Sequence, residues 1–410
     1  MTDGLIIIPE LLFDGTPTPV RRNTAVVVAD EYIFDVVPTN NLPHESSMQT
    51  VYLPDSTLLP GIIDAHVHLT FDGVEPLETM VRESNEMLAL RAASQAREAV
   101  LAGITTMRDC GGRDDVMFIL RESIQSGLTL GPRLVLSGRP LTSRRGHCYF
   151  MNGEVDGREA MTELIADLAE KGADFIKVMA TGGDLTPGTN PLAMQFSRED
   201  LAFIVREATH RGLQVAAHAH SLEGSKAAVE AGVAVVEHAT FMDETGISMD
   251  HSLVKRMAEQ KTVVIPTSIP LINAARAGLT LRLARKLGVS MAEFLALREA
   301  AVRDLITGGV RLIAGSDAGA TCTRFTDIFG EIESLAQAGM TNIQAIAAAT
   351  GDAAAALGLS QIGRIRPQFL ADLVAVRGDV TKDLQALRHI TFVMLGGRIV
   401  REETPQSGFL

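Results

Sequence analysis

Short apolar runs alternate with longer amphipathic stretches along the central part of the chain. In the amphipathic stretches, such as "GREAMTELIADLAEKG", apolar positions recur at helical spacing, which predicts helices. The apolar runs have the length of strands, and there are eight of them: "GIIDAHVH", "GITTMRD", "PRLVLSG", "ADFIKVMA", "LQVAAHAH", "VAVVEHAT", "TVVIPTS" and "VRLIAGSDAG". Eight β–α repeats close a (β/α)8 barrel, and continuous Val, Ile and Ala suit strands that are buried on both faces. We therefore predict an α/β protein with a TIM barrel over residues 59–360.

An open, doubly wound sheet is the alternative for such a pattern. That fold would place a glycine-rich phosphate loop after its first strand, and residues 66–76 contain no GxGxxG sequence. The barrel is therefore the better interpretation. The long helical region at 271–300 is expected to be a packing helix of the barrel, or part of a lid.

The two ends of the chain have a different pattern. Residues 1–58 and 361–410 contain short strand-like segments and turns, for example "NTAVVVADEYIFDVVP" and "ITFVMLGGRIVREETP", without helical periodicity. We expect the two ends to form one small β-sandwich domain beside the barrel.

Charge and cysteine content limit the partners and the cellular compartment that we expect for the protein. The formal net charge of −13 argues against a nucleic-acid partner and against a basic membrane-binding face. Apolar runs stay shorter than the roughly 18 residues of a membrane span, and the N-terminus lacks the pattern of a signal peptide. The cysteines match neither a disulfide framework nor a CxxC metal motif, which favours a reducing compartment. We expect a cytoplasmic enzyme with a small-molecule substrate.

Chemically active side chains gather at the ends of the predicted strands. In a (β/α)8 barrel the active site lies at the carboxyl ends of the strands. Six of the ten histidines lie at such ends or in the loop after the third strand. The candidates are His66, His68, His147, Lys177, His218, His220, His238 and Asp317.

The spacing of these residues favours a metal site. His66 and His68 are two residues apart, so both face the same side of a strand, and His218 and His220 form a second pair of this kind. Imidazoles and a carboxylate at this density suit Zn²⁺ or a similar divalent ion. Taken alone, each residue has an ordinary structural explanation; Asp317, for instance, could cap a helix. The joint pattern in strand order favours the metal.

This order of side chains resembles that of the amidohydrolase superfamily. The resemblance covers nearly the whole chain and includes "LPGIIDAHVHL". More narrowly, "FIKVMATGG", "VAAHAHSLEGSKAAVEAGVAVVEHAT" and "IAGSDAG" are similar to its Xaa-Pro dipeptidase-like and imidazolonepropionase-related branch. That branch includes hydrolases of dipeptides and N-acyl amino acids and ochratoxin-type amidases.

The resemblance implies a centre of two divalent ions, most simply Zn²⁺. His66, His68 and Asp317 would hold the more buried ion. His218 and His238 would hold the more exposed one. Lys177 would bridge both ions as a carbamate formed with CO2. Imidazolonepropionase resembles a mononuclear variant without that lysine, so Lys177 argues against that assignment.

Roles in catalysis follow from this arrangement. A hydroxide that bridges the two ions would attack the amide carbonyl. Asp317 would accept the proton of the attacking water and pass it to the leaving nitrogen. His220 or His147 would polarise the carbonyl, and Tyr149 could hydrogen-bond the tetrahedral intermediate.

The substrate is the least constrained part of the interpretation. We expect a dipeptide or an N-acyl amino acid, whose carboxylate Arg144, Arg145 or Arg324 would bind as a bidentate pair. A hydrolase of cyclic amides, carbamates or ureas is the alternative. A deaminase is a weaker one because Lys177 counts against it, and a metal-binding relative with a dead site would lack a ligand, whereas none is missing. By analogy with the resembling family, we expect a homo-oligomer.

Overall fold

The structure is a computed structural model that describes residues 4–42, 48–74 and 77–403. Its strands are β1 (Leu5–Leu12), β2 (Thr24–Ala29), β3 (Tyr32–Pro38), β4 (Gln49–Pro60), β5 (Ile62–Val67), β6 (Ile104–Asp109), β7 (Arg133–Leu136), β8 (Thr142–Ser143), β9 (Glu154–Val155), β10 (Phe175–Met179), β11 (Gln214–Ser221), β12 (Val235–Met242), β13 (Val263–Ile265), β14 (Arg311–Leu312), β15 (Leu373–Arg377), β16 (Ile390–Leu395) and β17 (Arg398–Glu402). Its helices are α1 (Leu77–Met80), α2 (Asn85–Leu101), α3 (Val116–Gln125), α4 (Gly157–Glu170), α5 (Arg198–Thr209), α6 (Leu222–Ala231), α7 (His251–Gln260), α8 (Ile269–Arg276), α9 (Arg282–Leu287), α10 (Met291–Thr307), α11 (Ile328–Gln337), α12 (Asn342–Ala347) and α13 (Gly351–Ala356).

Eight parallel strands occupy the positions of the eight predicted apolar runs. They pair in the orders β5–β6–β7 and β10–β11–β12–β13–β14. Backbone hydrogen bonds connect the two groups: Asp174 N donates to Leu136 O over 2.8 Å, and Ala65 N donates to Ala314 O over 3.1 Å. The strands thus follow one another around a ring in the manner of a TIM barrel, which agrees with the predicted α/β class.

Burial explains why these segments form strands and helices. Every residue of β5, β6, β10 and β12 is buried, as expected for strands with the barrel interior on one side and helices on the other. The helices bury one face only. In α5, Leu201, Ile204 and Ala208 are buried, and their spacing places them along one stripe.

The strands at the two ends of the chain form a second, seven-stranded sheet. Its order is β17–β16–β15–β4–β1–β2–β3, so β4 and β15 join the N-terminal and C-terminal parts. Ile33 N donates to Phe369 O over 2.8 Å, which brings β3 back to the segment that precedes β15. Ile7 and Phe392, from opposite parts of the sheet, are buried in one core. The ends therefore assemble together, while the sandwich and the boundaries at 58 and 361 stay predictions.

The region at 271–300 is divided into three helices, so the expectation of one long packing helix is wrong. Gly278, with φ +71°, follows the end of α8, and Gly288, with φ +69°, caps α9. Such left-handed positions end a helix and favour glycine. In the described part of the chain, every helix is too short or too polar to span a bilayer.

Candidate metal centre

The first strand of the ring has two imidazoles at its carboxyl end. His66 lies in β5 and His68 lies just beyond it, and both are buried, with 0% and 7% of the residue exposed. Their Nε2 atoms are 3.3 Å apart. Two nitrogens bound to one tetrahedral zinc ion at about 2.0 Å are also roughly 3.3 Å apart, so the pair has the spacing of metal ligands.

A carboxylate from the loop after β14 faces this pair. Asp317 Oδ1 lies 3.3 Å from His66 Nε2 and 3.5 Å from His68 Nε2. The backbone N–H of Asp317 donates to His66 O over 2.7 Å, and its φ is +54°. This left-handed conformation is one that aspartate tolerates better than most residues. The three donor atoms thus surround one small space.

Three further histidines form an adjoining group. The donor atoms of His218, His220 and His238 lie within 4.8 Å of one another. The ring centroids of His218 and His238 are 4.5 Å apart, and those of His66 and His238 are 5.2 Å apart. The imidazoles of β5, β11 and β12 therefore form one continuous cluster.

Lys177 lies in the middle of β10 and is 1% exposed. Its ammonium group contacts the carboxylate of Glu237, and both side chains are buried. Burial lowers the pKa of Lys177 to about 8. At pH 7 about a tenth of such a group is an uncharged amine, the form that can react with CO2.

Hydrogen bonds with residues just beyond neighbouring strands orient three of these rings. His68 Nδ1 donates to Gly111 O over 3.0 Å, which leaves Nε2 free to bind a metal. His238 Nδ1 is 2.7 Å from Thr267 Oγ1. His218 Nε2 donates to Gly182 O over 3.1 Å, so its free nitrogen is Nδ1. Partners of this kind fix which nitrogen of a histidine can act as a ligand.

Burial also sets the protonation of the cluster. It lowers the pKa of His66, His218 and His238 well below the ordinary value, and it lowers the pKa of His220 to about 3. Burial raises the pKa of Asp317 to about 6. The imidazoles are thus neutral at physiological pH and keep the lone pairs that a metal ion needs. The side chains present fit a divalent-metal centre with nitrogen and oxygen ligands.

A pocket opens in front of the cluster. One wall is apolar and includes residues of α8 and α9. The apolar lining includes Met179, Leu185, Pro266, Pro270, Leu271, Leu281 and Leu283. Asp184, Lys177, Arg298 and Asp317 are the charged residues of the described lining. Arg298 donates to the carbonyl oxygens of His238, Ala239 and Pro266, over 2.8, 2.8 and 3.1 Å.

Comparison with known proteins identifies the family. The model of the amidohydrolase family matches residues 57–400. The chain belongs to the amidohydrolase family. It is 27% identical to an ochratoxinase from Aspergillus niger, over 97% of this chain and 86% of that protein. The crystal structure of a Xaa-Pro dipeptidase with bound methionine superposes with a TM-score of 0.85 at 27% identity, covering 97% of this chain and all of the other.

This amidohydrolase is accordingly a hydrolase of carbon–nitrogen bonds, and the resemblance to the Xaa-Pro dipeptidase-like branch is confirmed. An imidazolonepropionase from Anaeromyxobacter dehalogenans is also similar, with 25% identity over 84% of this chain and 81% of that protein. The six predicted metal ligands of the amidohydrolase all lie in the cluster or in the lining of its pocket: His66, His68, Lys177, His218, His238 and Asp317.

Two of the other predicted catalytic residues of the amidohydrolase lie at the same pocket. His147 is 5% exposed, and its ring centroid is 4.5 Å from that of His218. Its backbone N–H donates to Gln195 Oε1 over 2.6 Å. His220 lines the pocket, with Nδ1 2.8 Å from Thr240 Oγ1.

The structure does not bring the remaining predicted residues to this pocket. Tyr149 is 42% exposed and lines a separate surface depression, and Arg144, Arg145 and Arg324 are exposed and lie outside the described lining. The backbone of Arg145 has φ +55° and its N–H donates to Glu154. A left-handed turn of this kind redirects the chain, and strand periodicity does not extend into such loops.

Sequence reasoning missed three residues that support the cluster. Glu237 contacts Lys177, Thr267 orients His238, and Arg298 holds the backbone beside His238. A glutamate inside the apolar run "VAVVEHAT" was the available signal, since a buried charge needs partners. Thr267 and Arg298 have no comparable signal.

Proposed function

We propose that this amidohydrolase hydrolyses the amide bond of a dipeptide or an N-acyl amino acid at a centre of two divalent ions, Zn²⁺ in the simplest case. One observation carries the proposal: four histidines, Asp317 and Lys177 converge in one buried cluster behind a pocket. The same side chains separate into two groups, with Asp317 beside His66 and His68, and with His218 beside His238.

In this proposal His66, His68 and Asp317 would hold the more buried ion, and His218 and His238 would hold the other. As a carbamate, Lys177 would supply carboxylate oxygens to the same centre. The uncharged amine adds to CO2, a C–N bond forms, and one proton leaves for solvent. The lowered pKa of Lys177 supports this step because it increases the fraction of uncharged amine at neutral pH.

The ions would polarise the amide carbonyl and lower the pKa of the water that attacks it. Asp317 then accepts a proton of that water and transfers it to the leaving nitrogen. Its pKa of about 6 suits a group that both gains and releases a proton near neutral pH. His147 and His220 border the pocket, and in this proposal one of them binds the carbonyl oxygen.

The named relatives support the substrate class. An ochratoxinase and a Xaa-Pro dipeptidase are each 27% identical to this chain over nearly its whole length. We also propose a small-molecule substrate, a homo-oligomeric state and a cytoplasmic location, without a nucleic-acid or membrane partner.

A second candidate is the hydrolysis of neutral cyclic amides, carbamates or ureas. The lining favours it in one respect. Both terminal nitrogens of Arg298 already donate to backbone carbonyls, and Lys177 contacts Glu237, so neither cation of the described lining is free to pair with a substrate carboxylate. A neutral substrate with an apolar group needs no such cation.

The two candidates separate in a hydrolysis screen of the metal-loaded enzyme. One set contains dipeptides and N-acyl amino acids, each paired with its carboxamide, and the other contains lactams, carbamates and ureas. The first candidate predicts turnover of the free acids. Turnover restricted to lactams, carbamates or ureas would overturn it in favour of the second.

A further inference from the structure

One buried glutamate contacts two of the proposed metal ligands, His66 and Lys177. Glu237 lies in β12 directly before His238, and none of its surface is exposed. Consecutive residues of a regular strand face opposite sides. His238, however, has φ +65°, which interrupts the alternation. Glu237 and His238 can therefore both reach the centre of the ring.

The first partner of Glu237 is His66. His66 Nδ1 lies 3.6 Å from Glu237 Oε1 and has no hydrogen-bond partner among the described residues, although it is buried. The other ring nitrogen, Nε2, faces His68 and Asp317. A carboxylate on the Nδ1 side favours the neutral form of His66 that carries its proton on Nδ1. The lone pair is then on Nε2, where the proposed ion would bind.

The second partner is Lys177, whose Nζ contacts Glu237 Oε2. A carbamate nitrogen keeps one N–H, so the same contact can continue after the lysine has reacted with CO2. The carboxylate thus aims the lysine toward the histidines in both chemical states.

Two further side chains contact Glu237 at the same oxygen that faces His66. Arg108 Nη1 donates to Glu237 Oε1 over 3.1 Å, and Cys110 Sγ donates to the same oxygen over 3.2 Å. The guanidinium of Arg108 lies 3.5 Å from the ring centroid of Phe175. His66, Cys110 and Glu237 also have the spacing of a cation site. The positive charge of Arg108 on the same carboxylate argues against a metal ion there.

We infer that Glu237, held by Arg108, is a positioning residue that orients His66 and Lys177 at once and thereby sets the affinity of the more buried ion. This inference rests on the proposed two-ion centre. It assigns to Glu237 no contact with the substrate.

The test compares Glu237→Gln with wild type and with Thr267→Val, which removes the partner of His238 instead. Metal content per chain is measured after dialysis against increasing chelator. The lysine carbamate is followed by ¹³C NMR after incubation with ¹³C-bicarbonate. We expect Glu237→Gln to bind the more buried ion about 10- to 100-fold more weakly and to lose carbamate signal. Thr267→Val should weaken the binding of the more exposed ion and leave the more buried ion bound.

Glu237→Gln leaves Arg108 without its partner and can reduce folding. The double variant Arg108→Met/Glu237→Gln removes that unpaired charge, and circular dichroism checks its fold. The double variant should bind the more buried ion as weakly as Glu237→Gln does. Wild-type affinity and a full carbamate signal in either folded variant would overturn the inference. A wild-type protein that binds no divalent ion would instead overturn the proposed function.

Discussion

At the scale of single residues, Lys177 distinguishes this site from an ordinary cluster of histidines. A lysine buried to 1% exposure within a group of imidazoles has little value as a cation, because burial penalises its charge and lowers its pKa to about 8. As a carbamate it would be a carboxylate ligand, and the proposed reaction with CO2 would thus explain its position.

We predict that Lys177→Ala loses most of its bound metal and at least about a hundredfold in kcat/KM, in line with the loss of a group on which the metals depend. Metal content is measured by elemental analysis and activity on the best substrate of the screen. Lys255→Ala, at a surface position, should match wild type. Two tightly bound ions in Lys177→Ala would remove the carbamate from the account.

Glu331 gives a second prediction at this scale. Burial raises its pKa from 4.5 to about 7, although the backbone N–H of Ile269 donates to its carboxylate. The folded state therefore holds the proton of Glu331 more tightly than the unfolded state. The stabilisation that protonation gives the folded state is complete below about pH 4.5 and is lost as the pH rises to about 7.

Glu331→Gln removes this titration. Relative to wild type, its free energy of unfolding should therefore increase between pH 4.5 and pH 7, by up to about 3 kcal/mol, and stay level above that range. Urea unfolding of both metal-free proteins at a series of pH values measures the difference. A difference that is independent of pH would contradict the raised pKa.

At the scale of elements, strand ends were predictable and loops were not. His66 and His68 follow from a spacing of two on a strand, and the same rule gives His218 and His220. The rule also explains why sequence reasoning missed Glu237. In a regular strand, successive side chains alternate between the two faces, so Glu237 and His238 would face opposite sides. Only the left-handed backbone at His238 brings both inward. The exposed arginines of the loops lay beyond any periodic rule.

The helices α8 and α9 form the apolar wall of the pocket, which predicts selectivity for apolar substituents. Leu271→Ala should lower kcat/KM for a substrate with a bulky apolar acyl group about 5- to 30-fold relative to its acetyl analogue. A loss of this size is expected when one apolar contact with the substrate is removed. Leu287→Ala, in the same apolar cluster but outside the described lining, serves as the control. Equal losses on both substrates would contradict a binding role for the wall.

At the scale of the whole molecule, an ion pair between a partly exposed arginine and a buried carboxylate connects the terminal sheet to the barrel. Arg133 of β7 donates to both carboxylate oxygens of Asp372, over 2.7 and 3.1 Å, and the Asp372 side chain is only 2% exposed. Asp372 Oδ1 also accepts from the backbone N–H of Gly396 over 2.7 Å. The histidine cluster lies at the other ends of the strands, so we expect this contact to support stability without affecting catalysis.

We predict that Arg133→Met lowers the free energy of unfolding by about 1–2 kcal/mol, because a buried carboxylate loses its partner while the arginine is partly exposed. Metal content and kcat should stay at wild-type values. Arg377→Met removes an exposed pair with Glu403 and should cost less than about 0.5 kcal/mol. Urea unfolding compares the two, and equal costs would contradict the role of Asp372.

The proposed mechanism depends on two divalent ions held by side chains in or just after five strands. Metal titration of the chelator-stripped enzyme, with amide hydrolysis as the readout, measures how many ions catalysis needs. We predict no activity without metal and a rise that ends at two equivalents per chain. Full activity in the stripped protein, or a plateau at one equivalent, would contradict it.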